Sequence, residues 1–207
     1  MIHLIGAGGH AKVVLDALLA DGVELSAIRI RDGRPDMQGR DLLGAAIDTP
    51  ELEDRLSGQD VHVAIGAIGT RARLLDSAVA LGARAVRVVH PSAQVSRFAA
   101  VGDGTFVAAT AVIGPSASVG RGVIVNHGAV VDHDCIVGDF CHIAPNASLG
   151  GGVRLGDRVL IGAGAVVLPG VSIGDDAIVG AGAVVICDAP ANAEWVGVPA
   201  APYGNRS

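Results

Sequence analysis

The chain has 207 residues, with 15 Lys plus Arg against 21 Asp plus Glu and a formal net charge of −6. Half of it is hydrophobic, yet it holds only 3 Phe, 1 Trp and 1 Tyr, and its 30 Gly are roughly twice the usual share. That composition excludes a disordered chain, and the acidic balance without a dense Lys/Arg run excludes a general nucleic-acid binder.

No apolar run is long and uncharged enough for a membrane-inserted helix, and the N-terminus lacks a basic segment leading to a cleavage site. The three cysteines, Cys135, Cys141 and Cys187, form no C-x-x-C pair and are too few for a disulfide framework. A reduced, cytoplasmic protein without metal is expected.

In chain order, residues 2–5 read as a strand and Gly6-Ala7-Gly8-Gly9-His10-Ala11 as a tight turn. Val13, Val14, Ala17 and Leu18 then fall at helical spacing over 12–20. Residues 25–30 read as a second strand. Thr49-Pro50-Glu51 reads as an N-cap with Pro at the first helical position, starting a short helix to Leu56. A strand over 61–65, a helix over 71–81 and a strand over 85–88 follow. Alternating strands and helices imply a small parallel sheet, half of a Rossmann-like α/β fold, over residues 1–88.

Gly6-x-Gly8-x-x-Ala11 follows a strand and opens a helix, as a phosphate-binding turn does. His10 brings an imidazole to that helix N-terminus, and Asp32 sits where a ribose-binding acid belongs. No aromatic residue in this half is available to stack on a base.

From Val89 the period is six. Every sixth residue through Val185 is Val, Ile or Leu, and four residues after each stands a small or modest side chain. Gly fills the second position of nine units, which predicts a repeated positive-φ corner there. This is the hexapeptide repeat of a parallel β-helix over 89–190, with a C-terminal tail over 191–207.

The pattern resembles the hexapeptide acyltransferases, whose left-handed β-helix uses three hexapeptides per triangular coil. Residue n then lies under residue n+18. Asp132-His133-Asp134 fills positions two to four of its unit, so His133 points outward, and Gly151 lies directly above it. An imidazole beside a carboxylate is a general-base arrangement, and a Gly N–H is a ready oxyanion donor. His127, outward but without flanking acids, ranks second. Cys135 and Cys141 fall on inward positions and read as core filler.

Together the two halves resemble the bacterial nucleotide-sugar N-acetyltransferases of the bacillosamine and perosamine type, closely similar to the sialic-acid O-acetyltransferase group. The likeness rests on Gly6-Ala7-Gly8-Gly9-His10, on Asn126 through Asp132-His133-Asp134, on the uninterrupted hexapeptides and on the ending Gly197-Val198-Pro199-Ala200. It implies a homotrimer with intersubunit active sites that transfers acetyl from acetyl-CoA to a 4-amino-4,6-dideoxy sugar on a nucleotide, without an acyl-enzyme. It implies His133 as base, Asp134 as its orienting acid and Gly151 as the backbone donor. His142, Ala163 and Ala181 match the acetyl-CoA groove, and Gly8, Gly9, His10, Asp32 and Asn126 the nucleotide-sugar side. The segments Ile30-Arg31-Asp32-Gly33 and Gly66-Ala67-Ile68-Gly69-Thr70-Arg71 depart from the family's usual pattern where the base would bind. Three rival readings are a sialic-acid-type sugar O-acetyltransferase, a non-catalytic β-helix scaffold that binds a nucleotide sugar, and a sugar-nucleotide oxidoreductase.

Overall fold

A computed structural model of the chain describes residues 1–52 and 56–203. Contacts divide it into two units, Met1–Pro91 and the chain from Ser92 on.

The first unit is a six-stranded sheet in the order β3-β4-β2-β1-β5-β6. Its strands are β1 (Ile2–Ile5), β2 (Ile28–Arg31), β3 (Asp41–Leu42), β4 (Ala45–Asp48), β5 (Asp60–Val63) and β6 (Arg84–Ala85). All pairs are parallel except β3–β4. Helix α1 (Gly9–Ala20) buries Ala11, Val14, Leu15, Ala17 and Leu18, and α2 (Ile68–Ala80) buries Leu74, Leu75 and Ala78. The small parallel α/β sheet is as the sequence predicts, with differences at its edges. Residues Leu25–Ala27 are a 3-10 turn, so the second strand begins three residues later than expected. Of the helix expected from Thr49 to Leu56, the described part 49–52 is bends and coil, and 53–55 lie outside the described residues. The β3–β4 hairpin is absent from the sequence reading.

The second unit is a parallel β-solenoid. One face stacks Phe106–Val107, Ile124–Val125, His142–Ile143, Leu160–Ile161, Ile178–Val179 and Glu194–Val196. The next face contains Val112–Ile113, Val130–Val131, Ser148–Leu149 and Val166–Val167. The third contains Ser118–Val119, Ile136–Val137 and Arg154–Leu155. Each strand pairs with the one 18 residues on, for example Val130 with Ser148 and Ile136 with Arg154. From Val107 on, every first-position aliphatic and every fifth-position small residue is buried. Burial of each aliphatic side chain contributes about 1.5–3 kcal/mol, so the column is the core.

One expectation fails instructively. From Gly104 to Gly182 positive φ occurs at the fourth position of every unit, as in Asp134 (59°), Asn146 (58°) and Gly164 (66°), and not at the second. Second-position glycines serve close approach instead. A Cβ on Gly138 would lie 2.5 Å from the Gly156 backbone, and one on Gly162 would lie 2.5 Å from the Ala181 nitrogen. Asn126, at a second position, likewise has no positive φ.

After the last coil, Glu194–Val196 adds in parallel to Ile178–Val179, and Ala201–Pro202 folds back on it. Buried Trp195 thereby lies in register with Val179 at the end of the column.

Candidate active site

His133 sits at a corner of the solenoid because its unit turns there, and the positive φ of Asp134 swings that carboxylate back toward the ring. Asp residues tolerate this left-handed geometry better than most. Asp134 Oδ2 is 2.7 Å from His133 Nδ1, and Asp132 Oδ1 accepts the His133 N–H at 2.7 Å. With Nδ1–H donated to Asp134, Nε2 carries the lone pair. The hydrogen bond to Asp134, reinforced by the Asp132 charge, raises the imidazole above the usual histidine value. The ring is more than half exposed, so its proton can exchange with a ligand.

The coil above supplies the other wall. A Cβ on Gly151 would lie 2.5 Å from His133 Nε2 and 2.6 Å from Cε1, so only glycine lets the imidazole lie against that backbone. At one other corner the third-position N–H is taken by an aspartate one coil on. Asp139 Oδ1 accepts from Arg121, Asp157 Oδ1 from Asp139 and Asp175 Oδ1 from Asp157, at 3.0, 2.8 and 2.9 Å. Above Gly151 stands Pro169, and before it Gly150, neither with an accepting side chain. Among the described residues nothing accepts the Gly151 N–H.

The preceding corner holds a second cluster. Asn126 Nδ2 is 3.2 Å from His142 Nε2, and Asn126 Oδ1 accepts the His127 N–H at 2.9 Å. Exposed Ala163 and Ala181 continue the His127 column at 18-residue steps. The solenoid therefore brings His133, Asp134 and Gly151 together, and Asn126, His142, Ala163 and Ala181 near one another, at two different corners. A six-residue side separates them, roughly 15–20 Å of extended chain. Cys135 and Cys141 are fully buried, their thiols donating to the Gly150 and Gly156 carbonyls.

The first unit contains a cavity of about 380 Å³ at the carboxyl ends of its strands, lined in part by Gly8, Gly9, His10 and Asp32. Gly8 caps α1, so the first-turn N–H groups of that helix border the cavity. The Asp32 carboxylate, expected to bind ribose, is hydrogen-bonded here within the protein. Its Oδ2 accepts from the Ala7 N–H and Arg34 Nη2, and its Oδ1 from the Arg34 N–H and Nε. Arg34, chiefly through its side-chain hydrogen bond, holds the Asp32 carboxyl below the usual range. The carboxylate thus ties the glycine turn to the loop after β2. Gly66 and Thr70, from the segment expected near the base, also line the cavity, as do Arg34, Glu51 and Arg73, for which the sequence suggested no binding role. His62, fully buried, is pushed down to about 4 by desolvation and stays neutral against the Val86 carbonyl, a core residue.

Among the described residues no three His, Cys, Asp or Glu side chains are grouped to hold a metal, and no helix is long and apolar enough to cross a membrane.

Residues 1–78 match the PglD N-terminal domain family, and 152–187 match the bacterial transferase hexapeptide (six repeats) family. Among solved structures, a histidine variant of perosamine N-acetyltransferase from Caulobacter crescentus, in complex with CoA and GDP-perosamine, is 41% identical. That match covers 99% of this chain and 97% of that one, with a TM-score of 0.91. The acetyltransferase domain of PglB from Neisseria gonorrhoeae, in complex with acetyl coenzyme A, is 38% identical over 97% and 98% of the two chains, with a TM-score of 0.89. A comparison with curated proteins found none that matches.

An α/β nucleotide-type unit joined to a hexapeptide solenoid with a histidine–aspartate corner defines an acetyl-CoA-dependent acyltransferase. The chain belongs to the bacterial nucleotide-sugar N-acetyltransferases of the bacillosamine and perosamine type.

Proposed function

We propose that the chain N-acetylates the 4-amino group of a nucleotide-linked 4-amino-4,6-dideoxy sugar, with His133 as general base. The observation that carries this is the corner itself: an imidazole oriented by Asp134, its Nε2 against Gly151, and a backbone N–H with no internal acceptor. The GDP-perosamine held by the Caulobacter crescentus relative supports the substrate class.

Each group then has one task. The sugar amine attacks the thioester carbonyl, forming the C–N bond, while His133 Nε2 takes the amine proton. Asp134 holds the ring in the tautomer that leaves Nε2 free and stabilises the imidazolium. The Gly151 N–H donates to the carbonyl oxygen as it gains charge. The C–S bond breaks, and the imidazolium returns its proton to the departing thiolate of CoA. No acyl-enzyme is needed.

Two neighbouring copies complete the site in this reading. His142, Ala163 and Ala181 line the acetyl-CoA groove at one corner, and His133 of the adjacent copy works at the other. Residues 89–207 carry only 5 Lys/Arg and 9 Asp/Glu, so weakly charged faces are free for a homotrimer interface. Acetyl-CoA use and free cysteines suit cytoplasmic glycan biosynthesis.

A thiol-release assay across UDP-, GDP- and dTDP-linked 4-aminosugars, each beside its 4-hydroxy counterpart, tests the reading. Release with an aminosugar and none with its hydroxy analogue is expected. His133→Ala should lower kcat by about 10²–10⁴-fold, the weight of a general base. Faster release with the hydroxy sugars, or near-normal turnover of the variant, overturns it.

A further inference from the structure

The cavity of the first unit has two carboxylates with opposite fates. Both oxygens of Asp32 are occupied by Ala7 and Arg34. Neither oxygen of Glu51 accepts a hydrogen bond from a described residue. Glu51 stands against Gly33, and a Cβ there would collide with both of its carboxylate oxygens, so the glycine makes room for the acid in the cavity wall. Arg34 spends two of its five N–H donors on Asp32 and keeps three.

Their place in the sheet assigns them an end of the ligand. The first-turn N–H groups of α1, after Gly8, suit a diphosphate. In a parallel sheet ordered β4-β2-β1-β5, a nucleotide lies across the carboxyl ends with its base over the β2 side. Arg34 follows β2 and Glu51 follows β4, so both stand at the base end. With no aromatic residue before Phe98, a base in this unit is chosen by its edge, since no ring is available for stacking.

We propose that the cavity selects guanine, with Glu51 accepting from N1–H and the N2 amine and Arg34 donating to O6. The inference rests on the nucleotide-sugar reading above and deepens it. Guanine alone presents two adjacent donors beside an acceptor, which a carboxylate and a guanidinium complement. Uracil and thymine present a single N–H between two carbonyls, so the second Glu51 oxygen would face a carbonyl oxygen. Adenine and cytosine set a ring-nitrogen acceptor beside their amine and meet the same repulsion. A bidentate pair of this kind discriminates by about tenfold to a hundredfold.

Titration calorimetry of the full chain with GDP, UDP, dTDP and ADP tests this without any acetyl transfer. GDP should bind at least about tenfold more tightly than the others. Glu51→Gln, which replaces one acceptor by a donor, should remove most of that preference by weakening GDP binding and tightening UDP binding, with the thermal midpoint unchanged. Glu51→Asp, which keeps the charge but withdraws it, should weaken GDP binding in the same direction. Equal binding of UDP or dTDP, or an unchanged preference in a folded Glu51→Gln, overturns the assignment. Binding of none of the four overturns it together with the nucleotide-sugar reading. Selective GDP binding with no thiol release from any GDP-linked aminosugar sinks the acetyl-transfer reading and leaves the base assignment standing.

Discussion

A raised imidazole is a stronger base but is neutral over less of the pH range, and His133 has both consequences built into one contact. Asp134 hydrogen-bonds Nδ1 and holds the group above its ordinary value of 6.5. Only neutral Nε2 accepts a proton, so kcat/KM should climb with pH through a midpoint above 6.5. Asp134→Asn removes the main raising contact, so the midpoint should move to lower pH while the plateau rate falls. An unmoved midpoint would assign the titration to another group, such as the substrate amine. The pairing of His133 with Gly151 was legible in the sequence, because an 18-residue coil turns a spacing into a contact. The saturation of Asp32 was not, because the Ala7 N–H reaches it only when β1 and β2 pair, and the Arg34 contacts depend on how the loop after β2 turns back on itself. Glu51 and Arg73 were hidden because the loops after β1, β2, β4 and β5 and the start of α2 are joined into one cavity wall only by the fold.

Between neighbouring coils the constraint is spacing, and the two kinds of glycine in each unit answer to it differently. At Gly138 the next coil's backbone leaves no room, whereas at Gly164 a side chain would meet nothing within 4 Å and only the φ of 66° is restrictive. Asn146, one coil below Gly164, already adopts that conformation at 58°. Gly164→Asn should therefore change stability by less than about 0.5 kcal/mol. Gly138→Ala should cost about 1–3 kcal/mol as an overpacked site. Urea unfolding of the two variants measures this, and equal losses would contradict the division. The sequence carried the period but not this division, since both glycine columns repeat every six residues and only the coordinates say which one bends. The β3–β4 hairpin was illegible for a local reason. Its two-residue turn is Leu43-Gly44 with φ of 52° and 90°, and leucine replaces the Asn or Asp that usually marks such a turn.

On the scale of the whole solenoid, the residues expected in one site stand at two corners of the same prism, so one copy cannot bring them to one substrate. Closed threefold assembly places one corner of each copy against the other corner of its neighbour in a repeating, heterologous contact. A mass near three times the chain's 20.6 kDa in light scattering is the first consequence. Complementation is the sharper one. His133→Ala removes the base from one corner, and Ala163→Trp fills the proposed groove at the other, so each variant alone should be nearly inactive. When both are co-expressed, a site formed by the intact corner of each has everything it needs. Random assortment gives about one such site in four over all trimers, so the co-expressed population should recover roughly a quarter of normal activity. If each site were built within a single chain, no mixture could repair it, and activity would stay at the level of the separate variants.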